Sequence, residues 1–191
     1  MKYLTVIAIA LMGLALVSTG AVADETACAA AKVILNIDPN IGILPPSTIN
    51  MGTLQTGDVS ADLVFRIDAN TEAVSLSALV TDLWKGDDPN GTEVDPIPVN
   101  LSAGLEIDPD NANPINGGSQ VADYIGTGSY SASEGTFPGK TTEEITFESS
   151  QDGHFSQNVT VTPTWTNIDE EKPQGEYSGY VVLYGAVVDG A

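Results

Sequence analysis

The sequence predicts an all-β domain, a sandwich or barrel of short strands. Two observations carry that expectation. Turn formers punctuate the chain throughout, with 19 glycines and 11 prolines. Between them lie short runs rich in Val, Ile, Leu and Thr, and helical periodicity is almost absent beyond the first residues.

Taken in order, the first run is 32–38, in which Val33, Leu35 and Ile37 continue an alternation that begins at Ala31. It stops at Pro39, which lacks a ladder donor, and 39–46 reads as a kinked connector. Strands are then expected at 47–54, at 61–67 (Leu63, Phe65, Ile67) and at 73–79 (Val74, Leu76, Ala78). Residues 97–101 alternate Ile97, Val99 and Leu101, with Pro98 marking an edge or a strand start. Residues 105–107 are short, 144–148 put Ile145 and Phe147 on one face, and 158–165 do so with Val159, Val161 and Pro163. The longest run is 175–188. Residues 85–95 and 108–119 read as polar loops, and 124–140 as a Gly/Ser-rich loop with room for a further strand.

The first residues address the chain. Lys2, an apolar run over 4–16 broken only by Thr5 and Gly13, and the small-residue site Ala21-Val22-Ala23 read as a secretory signal peptide over 1–23. Cleavage is expected before Asp24, with no membrane segment afterwards. The rest suits one domain. A formal net charge of −20 repels nucleic acid and anionic membranes. Cys28 is the only cysteine, so an internal disulfide is excluded.

Chemistry-bearing constellations are missing from the sequence. His154 is the only histidine, in a turn-like Gln-Asp-Gly-His-Phe, and no nucleophile elbow accompanies it. One Cys and one His do not make a transition-metal site. The run from Asp108 to Asn113 begins like a calcium loop, but Ala112 and Asn113 break the ligand pattern and Ser119 stands where a bidentate Glu belongs. The expectation is therefore no catalytic residue, no cofactor and no metal. A monomeric exported module recognising glycan or calcium is the other reading, with Trp84, Tyr124, Tyr130 and Trp165 as its exposed aromatics.

The informative feature is the alternating run before Pro39. It pairs within its own domain as a first strand, or it is donated to another chain. Its acceptor would be the long C-terminal strand, with Tyr177, Val181 and Leu183 on the receiving side. A head-to-tail contact of that kind builds a filament when it does not close into a ring.

At this point a family resemblance is visible. Ile37-Asp38-Pro39-Asn40-Ile41-Gly42-Ile43-Leu44 resembles the V-D-P-x-x-x-L-L segment of the major subunits of colonization-factor fimbriae, of the alternate chaperone–usher class. Ala73–Ser77, Ile97–Leu101 and Ser156–Val161 resemble later strands of that family in the same order. The run from Pro173 to Leu183 resembles its T-A-G-N-Y-S-G-V-V-S-L ending. The resemblance implies an immunoglobulin-like sandwich over 40–191, incomplete and completed by a neighbour's donor strand within 24–39. It also implies Ala31, Val33, Leu35 and Ile37 as inward donor side chains, with Pro39 ending the strand. The implied partners are identical or related pilin subunits, a periplasmic chaperone, an outer-membrane usher and a tip adhesin. The implied location is an extracellular fimbria.

Overall fold

The computed structural model describes residues 31–188; the signal-peptide reading of 1–23, the cleavage site and Cys28 lie outside the described residues. The chain divides at Asn36/Ile37. Before that division, Ala31 to Asn36 form no strand or helix.

From Ile37 onward the described residues build antiparallel sheets. In chain order the strands are β1 (Ile41–Leu44), β2 (Gly57–Ser60), β3 (Leu63–Ala69), β4 (Ala73–Thr81) and β5 (Trp84–Lys85). There follow β6 (Leu105–Pro109), β7 (Ala112–Pro114), a 3-10 turn (Ile115–Gly117), β8 (Val121–Ala122), β9 (Tyr124–Ser131) and β10 (Thr136–Thr142). The last are β11 (Ile145–Ser149), β12 (Phe155–Thr162), β13 (Thr164–Asn167), β14 (Tyr177–Ser178) and β15 (Val181–Val187). One sheet runs β1-β3-β12-β6-β8. The other is organised on β4, which carries β15 on one edge and β10 and β11 in succession on the other; β9 extends β10, and β7 extends β11. The protein is an all-β sandwich.

Alternation fills the space between the sheets. Phe65 and Ile67 of β3 and Phe155, Gln157, Val159 and Val161 of β12 turn inward from one sheet. Val74, Leu76, Ala78 and Val80 of β4, Phe147 of β11 and Leu183 of β15 meet them from the other. Each large aliphatic or aromatic side chain taken from water stabilises by roughly 1.5–3 kcal/mol. The buried amide of Gln157 is fully partnered. Its Oε1 accepts from the Asn111 N–H (2.7 Å), and its Nε2 donates to Asn111 O (3.2 Å) and Ser149 Oγ (2.8 Å).

Several segments differ from the sequence expectation; residues 108–119, read as a loop, carry the end of β6 and all of β7, which pairs with β11. Residues 32–38 form no strand, and no ladder pairs them with another strand among the described residues. Within 39–46, read as a connector, Ile41–Leu44 pairs with β3. Residues 47–54 form no strand; Asn50 Oδ1 accepts from the Gly52 N–H (2.8 Å) and Gly52 takes φ +82°, a turn in the middle of the run. Residues 97–101 make only isolated bridges at Ile97 and Val99, since Pro98 has no N–H and the Val99 N–H goes to Asp82 Oδ1 (2.9 Å). The Gly/Ser-rich stretch is a long hairpin, β9–β10. Its Gly128 is small because a Cβ there would meet Leu79 at 2.8 Å and Thr141 at 2.9 Å.

Candidate assembly seam

A two-sheet sandwich has two lateral seams, and here they differ. On one side the chain passes from β6 through β7, the 3-10 turn and β8 to β9, stitching the two sheets covalently. On the other side β1 ends one sheet and β15 ends the other, and no ladder joins them.

The hydrogen-bond pattern shows which groups face that second seam. Thr81 N–H donates to Tyr180 O (2.9 Å) and Val188 N–H to Ala73 O (3.1 Å), so even-numbered residues of β15 pair with β4. Alternation then turns the N–H and C=O groups of Val181, Leu183, Gly185 and Val187 to the outer edge, where no strand among the described residues meets them. Likewise Asn70 N–H donates to Asn40 O (3.2 Å), which turns Ile41 and Ile43 toward the seam from β1.

Side chains alone close this gap. A Cβ on Gly185 would meet Ile43 Cδ1 at 2.9 Å, Ile41 Cδ1 at 3.0 Å and Leu76 Cδ2 at 3.3 Å. The two isoleucines therefore lie directly over a glycine. Val181, Val187, Ile41 and Ile43 are half-buried against the core, and Leu183 is buried. The seam is an apolar side-chain contact, and the backbone edges on both sides of it are unpaired among the described residues.

Of the three residues expected on the acceptor strand, Val181 and Leu183 lie on β15 and Tyr177 does not. The long run 175–188 breaks at Gly179, whose Cβ position lies 2.6 Å from Asp82 O and from Thr81 Oγ1. The chain is pinned there by the Tyr180 N–H, which donates to Thr81 Oγ1 (2.8 Å). Tyr177 sits instead in β14, paired with β5, and its hydroxyl donates to Pro173 O (2.8 Å).

The residues expected to be donated are all exposed: Val33 by 90 %, Leu35 by 84 % and Ile37 by 78 %, with Ala31 and Pro39 alongside. Sequence reading missed Ile41, Ile43 and Gly185. The alternation Ile41-Gly42-Ile43 was a legible signal, overshadowed by the flanking prolines.

The other candidates find no site. None of the four aromatics proposed for glycan binding is exposed. Trp84, Tyr124 and Tyr130 are half-buried, and Trp165 is buried with its Nε1 donating to Thr81 O (2.8 Å). Asp108 and Pro109 belong to β6, and Asp108 Oδ1 accepts from Gln120 Nε2 (2.8 Å). His154 is exposed in a turn, with Nδ1 3.0 Å from Asp152 O. Among the described residues no three acidic, histidine or cysteine side chains converge as a metal site, and no helix is long and apolar enough to cross a membrane. In comparisons with known proteins, no family model, no curated protein and no solved structure matches this chain.

Proposed function

We propose that this chain is a structural subunit of an extracellular fimbria, polymerised by strand addition between copies. In this reading the segment 31–37 of one subunit lies in the β1–β15 seam of the next, and the sandwich is an immunoglobulin-like one completed in trans. The observation that carries it is a complementarity within one sequence: an exposed, alternating apolar segment, and an apolar seam with a free backbone edge. The resemblance to fimbrial major subunits supports it, and with it come the proposed chaperone, usher and tip adhesin as partners.

The energies are of the right size. Burying Val33, Leu35 and Ile37 stabilises by about 5–9 kcal/mol in total. Each new ladder hydrogen bond adds about 0.5–1.5 kcal/mol. Against an association cost of about 4–15 kcal/mol, the balance reaches stable assembly when the strand is held extended beforehand. Deleting 24–39 is expected to abolish filaments on secreting cells, seen by negative stain with antibody to this chain. A peptide of those residues added in trans should restore a folded, protease-resistant subunit. Filaments formed by the deletion variant would refute the reading.

A further inference from the structure

Resting on that reading, we propose that Asn70 and Pro39 are positioning residues that keep the segment from completing its own seam, so that its acceptor is a second copy of this chain. Asn70, at the corner between β3 and β4, holds the chain where it leaves the sandwich. Asn40 N–H donates to Asn70 Oδ1 (2.6 Å), Asn70 Nδ2 donates to Asp38 O (3.0 Å), and Asn70 N–H donates to Asn40 O (3.2 Å). These bonds carry the β1–β3 ladder one residue past β1 and hold Asp38 beyond it.

To fill its own seam, the segment would have to turn back along the free edge of β1. That reversal must occur within Asp38, Pro39 and Asn40. Tight hairpin turns need left-handed φ at central positions. Pro39 fixes φ near −65°, and the residue before a proline is held extended. The described non-glycine residues at positive φ are Asp87 and Asn116, neither of them here. Reversal therefore costs the Asn70 bonds and meets a turn sequence that resists it.

Charge draws the segment to an acidic sandwich without choosing between copies, so the choice falls to the clamp. Ala31 to Ile37 contain Lys32 and no acid, in a chain of 26 acidic and 6 basic residues. The bodies of two copies repel each other, while this segment is attracted to either.

The test uses the full chain, secreted and purified. Pro39→Asn with Asn40→Gly frees residue 39 and puts glycine at the left-handed position of a three-residue turn over 38–40, the register that sets Ile37 and Leu35 beside Ile41 and Ile43, and Asn70→Ala releases the clamp. An intramolecular strand acts at an effective concentration of millimolar order, so the triple variant should lose oligomer by about tenfold or more at micromolar protein. It should become a folded monomer whose amides at 33–37 are protected from hydrogen exchange. Should that variant fail to fold, Asn70→Ala alone decides: it should raise the monomer share and protect the same amides in it. Wild-type levels of oligomer in the deciding variant, or a monomer with freely exchanging amides at 33–37, would overturn the clamp. Deleting 31–37 from the natural chain separates the two ideas. If oligomers persist without the segment, strand addition itself fails; if they vanish while the triple variant still assembles, only the clamp fails.

Discussion

The two lateral seams of this sandwich solve one problem differently. At the β7–β8 side, the chain itself crosses between the sheets through β7, a 3-10 turn and β8, and the partnered amide of Gln157 ties β12 to Asn111 and Ser149. At the β1–β15 side, two isoleucines over a glycine bring the sheets together, with no ladder across the gap. Side-chain contact is non-directional and yields to a competitor of similar shape. A covalent crossing and directed side-chain hydrogen bonds do not. A sandwich that combines both is firm on one side and receptive on the other.

The largest effect should come from the firm side. Phe147 is fully buried in β11, opposite Val74 on one edge and Pro114 on the other. Phe147→Ala is expected to cost about 3–5 kcal/mol in urea unfolding, through lost burial and the cavity left behind. The half-buried Ile43 at the open seam should give a smaller loss, about 0.5–1.5 kcal/mol for Ile43→Val.

Gly185→Ala comes next. The added methyl must displace Ile41 and Ile43, an overpacking cost of about 1–3 kcal/mol. Truncating Ile43 to Ala in the same chain should recover part of it, and the double-mutant cycle measures how far the seam is closed by this one contact. Additive losses would show that something else closes it.

Tyr124 tests the firm side in the opposite direction. Its hydroxyl is buried without a partner at the start of β9, and burial pushes its pKa up to about 12. Tyr124→Phe removes an unsatisfied group and keeps the ring, so stability should rise by about 1 kcal/mol. A loss would mean that the hydroxyl has a partner in solution.

Much of this was legible in the sequence, and the remainder was hidden for identifiable reasons. The buried faces of β3, β11 and β12 follow from period-2 alternation, because each has one face in the core, whereas β4 is buried on both faces. The β9–β10 hairpin hid behind its glycines, which read as loop but are required where the hairpin approaches Leu79. The seam was half visible. Val181 and Leu183 announced an apolar strand, but its free edge depends on which strands end beside it, a matter of topology and not of local pattern. The break at Gly179 was equally unreadable, since it is set by the distant Thr81 and Asp82.

The smallest expected effect tests whether the open seam owes anything to charge. On the outer face of β3, beside β1, Arg66 bonds Asp68 (2.8 Å), and the Ser156 hydroxyl joins both. The Arg66 guanidinium, and after it the Ser156 hydroxyl, hold the Asp68 carboxyl below its ordinary range. A lowered folded value means that the folded state prefers the ionised form. Its contribution is therefore complete above the ordinary carboxylate pKa and is lost as pH falls through the lowered value. The pair is well exposed, so Asp68→Asn should cost only about 0.2–1 kcal/mol at neutral pH, less at high salt. The difference between wild type and variant should vanish in strong acid. A loss as large as that at Gly185 would mean that β1 is held by charge on its solvent face, and the apolar closure of the seam would then be a consequence of that anchoring.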